Sequence, residues 1–386
     1  MPAMNRRTFL SGSLAGTAVS LIASPATVLG NPANSLPEGN PITRKLGKTG
    51  IELPIVSMGV MRADNPGLVR AALKAGMIHL DTAHGYMKGR NETMLGEVLK
   101  EYPRDSFVIA TKVGPESPET YRAKFEESLR RLQMAYVDIL YLHGASSRGD
   151  VLDEEMLETL VGLKKAGKVR HIGLSTHRNE PEVIQAAIES GVHEVVLTAI
   201  NFKYERLDAL RKAIADAAAA GIGVVAMKTM AGAYYDKAKT KPINCKAALK
   251  WVMQDVNITT SIPGITSYEQ LEQNASLLSD LTMTDEERVS LEAGRSERGL
   301  FCPGCNECVP ACRHQLPIPD LMRAYMYAYG YSSPSIAQEL LTDLAIPPHA
   351  CTDCTSCTVS CRKGFDVADR VRDVTRLLNV PEEFLA

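Results

Sequence analysis

Short apolar runs rich in β-branched residues alternate with stretches whose apolar positions recur every three or four residues. The runs fall at residues 55–60, 77–82, 107–112, 137–142, 169–174, 194–200, 222–228 and 258–263. Each has the length and composition of a strand buried on both faces. Helical periodicity fills the gaps, for example at 68–75, 92–102, 119–133, 154–166 and 207–220. Gly76, Gly167, Gly191 and Gly221 close helical stretches, where a left-handed residue ends a helix cheaply. Eight strand–helix units between residues 42 and 291 predict an α/β fold, a (β/α)8 barrel of the TIM type. An open doubly wound sheet is the rival, but no G-x-G-x-x-G turn follows the first strand. In a barrel, functional groups belong just past the C-terminal ends of the strands.

The two ends of the chain break this rhythm. Asn5-Arg6-Arg7-Thr8-Phe9-Leu10 precedes a weakly apolar run rich in Gly, Ala and Ser, with small residues near Ser24-Pro25-Ala26. That is the pattern of a twin-arginine export signal over residues 1–30, followed by a Pro/Gly/Asn linker at 31–41. The mature chain is therefore expected in the periplasm or an equivalent extracytoplasmic space, without an integral membrane segment. A formal net charge of −2 asks for no nucleic-acid partner.

Eight of the nine cysteines lie between Cys302 and Cys361; Cys245 stands apart in a helical stretch and reads as a small buried residue. Cys302, Cys305, Cys308 and Cys312 form one C-x2-C-x2-C-x3-C run, and Cys351, Cys354, Cys357 and Cys361 form a second. Two such runs point to two [4Fe–4S] clusters, with each fourth cysteine reaching across to the other cluster. One cluster then takes Cys302, Cys305, Cys308 and Cys361, and the other takes Cys351, Cys354, Cys357 and Cys312. Zinc and disulfides are the alternatives for these cysteines. Helical stretches at 318–328 and 334–344 separate the runs, so residues 295–386 are expected to form a small, mostly helical ferredoxin-type domain. Arg313 and Arg362 follow the fourth cysteines, and a cation beside a cluster would raise its potential.

Three strand ends carry polar residues: Asp81-Thr82-Ala83-His84-Gly85-Tyr86, then Lys112, then His143. A lysine beside a tyrosine favours the phenolate, an aspartate anchors the lysine, and a histidine orients a carbonyl. His84 and His177 also stand at strand ends, whereas His79, His171 and His193 read as packing. With Asn91-Glu92, Ala110-Thr111-Lys112, Asp138–His143 and Lys168–Ser175, the segment from about residue 43 to 291 resembles the aldo-keto reductases, and the cysteine runs place the likeness with an iron–sulfur branch. The resemblance implies an oxidoreductase acting on C=O or CH–OH groups, with Tyr86 as general acid, Lys112 as its partner, Asp81 as anchor and His143 as carbonyl orienter. It also implies a tightly bound NAD(P) held by Ser175, Thr176, Met227, Lys228 and Asn274. Gly264, Ile265 and Gln270 stand where the family's 2′-phosphate clamp has Lys, Ser and Arg, and export leaves no free dinucleotide pool to recycle. The expected activity therefore couples a small carbonyl or alcohol substrate to an electron-transfer partner through the clusters. The alternative is an exported iron–sulfur electron carrier whose barrel is a non-catalytic scaffold for a partner.

Overall fold

A computed structural model describes residues 41–352, 354 and 357–385; the expected export signal and all but the last residue of the linker lie outside these. The chain enters through a hairpin, β1 (Thr43–Lys45) and β2 (Glu52–Pro54), that the apolar pattern did not reveal. Eight parallel strands follow in sequential order: β3 (Met58–Gly59), β4 (His79–Asp81), β5 (Val108–Val113), β6 (Val137–Leu142), β7 (Val169–Thr176), β8 (Val195–Ala199), β9 (Gly223–Met227) and β10 (Thr260–Ser261). Single parallel bridges, Val56 to Ser261 and Gly59 to Gly264, join the last strand to the first. All eight expected strands are present, so the expectation of a barrel holds. The intervening helices are α1 (Pro66–Lys74), α2 (Arg90–Leu99), α3 (Pro118–Leu132), α4 (Arg148–Val151), α5 (Glu154–Lys165), α6 (Glu180–Ser190), α7 (Leu207–Ala220), α8 (Cys245–Met253) and α9 (Tyr268–Ala275).

Every residue of β6 is buried, as a strand covered on both faces requires. One face packs outward against the helices in a core that includes Leu140, Leu142, Tyr121 and Phe125. The other points into the barrel, where Ala110, Ile139, Tyr141, Val195, Leu197 and Val225 meet. Leu46 and Leu53 of the hairpin join that interior cluster and seal it. Because side chains alternate along a strand, the inward series Ala110–Lys112 and Ile139–Tyr141–His143 end in polar residues at the mouth.

After α10 (Asp285–Ser296) come α11 (Ile318–Tyr329), α12 (Pro334–Asp343) and α13 (Val367–Thr375), with the cysteine runs in the loops before α11 and before α13. The helices bury Leu321, Met322, Ala337, Leu341, Val371 and Val374. The same apolar cluster takes in Phe202, Ala231, Ile243, Ala247 and Ala248 of the barrel, so the C-terminal segment packs against the barrel rather than hanging from it. Gly330 and Gly232 mark the close approach: a Cβ on Gly330 would stand 2.7 Å from the Gly232 carbonyl oxygen. Among the described residues no helix is long and apolar enough to cross a membrane.

Candidate active site

The structure brings Asp81, Tyr86, Lys112 and His143 together at the mouth. Lys112, fully buried at the end of β5, donates to the Asp81 carboxylate, to the Thr82 carbonyl at 2.6 Å and to the Tyr86 hydroxyl at 3.4 Å. The Lys112 ammonium lies 4.9 Å from the centre of the Tyr86 ring. The rings of Tyr86 and His143 meet edge to face with centroids 6.1 Å apart. Tyr86 opens a short turn in which Met87 and Lys88 hold φ of 52° and 55°, strained for side chains of their size. The other matching residues build rather than line the site. Asn91 binds the Thr82 hydroxyl and the carbonyls of Val60 and Ala63, while Glu92 accepts from Thr111. These bonds pin the start of α2 to the strand ends.

The electrostatics differ from the expectation in one respect. The Tyr86 phenol is not drawn toward phenolate; it is pushed well above its ordinary value by burial, by the Asp81 charge and by Tyr327. Asp81 and Lys112 form a pair, so the phenol sees little net charge from the lysine. Burial pushes the Asp81 carboxyl up and the Lys112 amine down, and each partner offsets part of the other's shift. His143 is held down to about 3, by burial first and then by Lys112, Lys228 and Arg323. The mouth thus presents a protonated phenol and a neutral imidazole, two hydrogen-bond donors suited to a carbonyl oxygen.

Asp320, Arg323 and Tyr327 at this mouth had no signal in the barrel pattern, because all three stand on α11. Arg323 bonds to His177 Nδ1 at 3.1 Å and to Asp320 at 2.7 Å, and Asp320 also pairs with Arg178. Lys228, just past β9, lies 5.6 Å from the ring centre of Tyr327. Burial alone would push the Tyr327 phenol up, but the charges of Lys228 and Arg323 and a hydrogen bond from Lys228 bring it below its ordinary value. His177, expected at a strand end, lines the cavity shared with Lys228 and Arg323. His84 does not: its ring turns to Ser128 and Arg131.

Of the residues expected to hold a dinucleotide, Ser175 and Thr176 close β7, Met227 closes β9, Lys228 follows it and Asn274 lies in α9. Ser175 and Thr176 are buried; Ser175 accepts from the Gly144 N–H, and Thr176 donates to the Arg178 carbonyl. Asn274 is buried, and Lys228 faces Tyr327 of α11.

Two further cavities lie in the C-terminal segment, and the cysteines divide between them in the crossed pattern the spacing predicts. Cys302, Cys305, Cys308 and Cys361 line one; Cys312, Cys351, Cys354 and Cys357 line the other. Four sulfurs on one zinc would converge to about 3.8 Å of one another. Among the described residues no three His, Cys, Asp or Glu side chains converge on a point for a single ion. The Cys302 thiol is pushed up to about 12 and Cys308 to about 11, by burial first and, among lesser causes, by neighbouring cysteines. Such thiols ionise readily only when a cationic group binds them. Arg362 lines the first thiol cavity and pairs with Glu307 at 3.0 Å; Arg323 and Arg370, both half-buried, also face Cys302.

Two histidines outside the mouth give a test of the fold's charge state. Burial holds His79 near 3 and His193 near 4, and neither ring nitrogen of His79 has a hydrogen-bond partner. The unfolded chain titrates these groups near 6.5 and so binds protons more readily than the folded one between that value and their folded pKa. Stability is therefore full above about pH 6.5 and falls as the pH drops below it, by about 2 kcal/mol for each histidine at pH 5. Urea unfolding at pH 7, 6 and 5 checks this; equal midpoints at all three would contradict it.

The aldo/keto reductase family profile matches residues 57–247. Probable aldo-keto reductase 1 of Glycine max is 26% identical over 294 residues, covering 61% of this chain and 83% of that protein. L-galactose dehydrogenase of Arabidopsis thaliana is 26% identical over 294 residues, covering 64% and 92% respectively. Among solved structures, the aldo-keto reductase from Klebsiella pneumoniae in complex with NADPH superposes with a TM-score of 0.56 at 23% identity, over 67% of this chain and 96% of that one, a likeness of fold. With the profile match and these relatives on the barrel described above, the barrel is similar to the aldo/keto reductases, oxidoreductases that act on carbonyl or alcohol groups.

Proposed function

We propose that this enzyme interconverts a carbonyl and an alcohol at the mouth formed by Tyr86, Lys112, Asp81 and His143, and exchanges electrons with an external partner through two [4Fe–4S] clusters. The observation that carries the reading is the position of Cys302. It lines the cavity of the first four thiols and also the cavity at the barrel mouth that holds His177, Lys228, Ala199 and Arg323. A group held by Cys302 would adjoin this cavity, whose Lys228 and Arg323 also act on His143 by their charge. Bound there, the clusters would supply single electrons to that site or remove them. The donor set supports this: four thiols around each cavity, in the crossed grouping that two C-x2-C-x2-C-x3-C runs require.

The chain's own residues handle binding and protons. In the reducing direction the external partner supplies two electrons by way of the clusters, solvent supplies the proton that ends on carbon, and solvent reprotonates the Tyr86 phenol. Tyr86 delivers the proton that ends on oxygen, and His143 donates a hydrogen bond that fixes the carbonyl. Lys112, anchored by Asp81, donates to the phenol oxygen and stabilises the phenolate left behind. This reading uses no dinucleotide, because Gly264, Ile265 and Gln270 supply no cation for a 2′-phosphate and export leaves no dinucleotide pool to recycle. The paired Arg6-Arg7 supports export by the twin-arginine route, after cluster insertion and into a compartment without a nucleotide pool. A scaffold without catalysis would have no use for a buried Lys112–Asp81 pair aimed at a phenol. The reading is tested by adding substrate to the nucleotide-free protein under anaerobic conditions and following the redox state of the clusters.

A further inference from the structure

We propose that the cavity between the end of β9 and α11 is an anion subsite, in which Lys228, backed by Arg178 and Arg323, takes a carboxylate or phosphate group carried by the substrate. The proposal rests on the oxidoreductase reading of the same mouth and names its substrate class. Lys228, Arg178, Arg323 and His177 line this cavity with Ala199, Cys302 and Gly304. Three cations thus face two carboxylates, Asp320 and Glu180. Asp320 is shared between Arg178 and Arg323. Glu180 accepts from the Tyr204 hydroxyl, and burial pushes its carboxyl up while Lys228 and Arg206 offset part of that shift. A cluster on Cys302 would offset the neighbouring Arg323.

The Lys228 ammonium has the Tyr327 phenol for its hydrogen-bond partner, and no carboxylate bonds to it directly among the described residues. The backbone holds Lys228 at φ 55°, a left-handed conformation that costs a lysine energy and is kept where the surroundings demand it. The positive field is also felt by His143 and His177, both held neutral in part by Lys228 and Arg323. An incoming oxyanion would satisfy a half-buried cation. Both kinds of oxyanion fit this chemistry: a carboxylate accepts one or two charge-assisted bonds, and a phosphate accepts more.

The test is calorimetric binding to the anaerobically purified, cluster-loaded protein, with two pairs of probes that differ in charge. Lactate is compared with propane-1,2-diol, and glycerol 3-phosphate with glycerol. One anion of either pair should bind about tenfold or more tightly than its neutral counterpart. Lys228→Gln should remove that difference, while Lys228→Arg keeps it. Preference for lactate assigns a carboxylate, and preference for glycerol 3-phosphate a phosphate. Equal binding within both pairs, or an anion preference that survives Lys228→Gln, overturns the proposal. Binding needs no turnover, so the subsite can fail here while the oxidoreductase reading stands on the Tyr86 variant, or the reverse.

Discussion

Tyr86→Phe should lower turnover of a carbonyl or alcohol substrate by about a hundredfold to ten-thousandfold, the usual contribution of a positioned general acid. The change removes one hydroxyl whose polar contact is Lys112 at 3.4 Å, and it keeps the ring against His143. The ion pair of Lys112 with Asp81 and the bond to Thr82 remain, so the fold and the iron content should be unaffected. Steady-state rates at saturating substrate check this. The loss should appear in kcat and in kcat/KM together, since the proton is transferred only in the transition state. Unchanged turnover would remove Tyr86 from the mechanism. Because burial and Asp81 hold the phenol above its ordinary value, the wild-type rate should show no tyrosine ionisation between pH 6 and 9.

Cys302→Ala has the second large effect. Its thiol lies at the junction of the first thiol cavity and the barrel mouth. With two clusters the wild-type protein carries about eight iron and about eight sulfide per chain, and loss of the first cluster leaves about four of each. Electron transfer between substrate and an artificial acceptor should then stop, although Tyr86, Lys112, Asp81 and His143 are intact. Cys245→Ala is the control: that cysteine opens α8, has its thiol pushed up to about 11 by burial, and lines neither thiol cavity. It should leave iron content and turnover alone. Full iron in Cys302→Ala would remove this residue from the ligand set, and zinc in place of iron would make the C-terminal segment structural.

The barrel was legible in the sequence because a strand buried on both faces leaves an apolar run, and eight such runs recur at a regular interval. The polar ends of those runs stood out for the same reason: Lys112 and Asp81 have no packing role at positions where Val or Ile would serve. The crossed grouping of the cysteines followed from spacing, since three thiols in an x2, x2 run face one centre and the fourth lies beyond it. The hairpin β1–β2 was missed because it contributes only Leu46 and Leu53 to the interior, too few for a period to show.

Arg323 and Tyr327 were missed for a different reason. On α11 they read as ordinary members of an amphipathic helix, and their function comes from where that helix lies against the barrel. Nothing local in a sequence reports such a contact. Arg362 is the converse case: adjacency to Cys361 suggested a place beside the first thiol cavity, which it does line, and Glu307 and Glu205 also pair with it. The phenol's pKa was misjudged because the lysine's charge was counted without the aspartate that neutralises it.

The measurement that bears most directly on the whole account is an anaerobic titration followed by electron paramagnetic resonance. The protein is freed of nucleotide, its clusters are poised in one redox state, and substrate is added alone. Substrate should change the cluster signal in the wild type and leave it unchanged, or change it at least a hundredfold more slowly, in Tyr86→Phe. A wild-type signal that ignores substrate, in a protein that turns the same substrate over when NAD(P)H is supplied, would contradict the account and leave an ordinary nicotinamide reductase with an idle C-terminal segment.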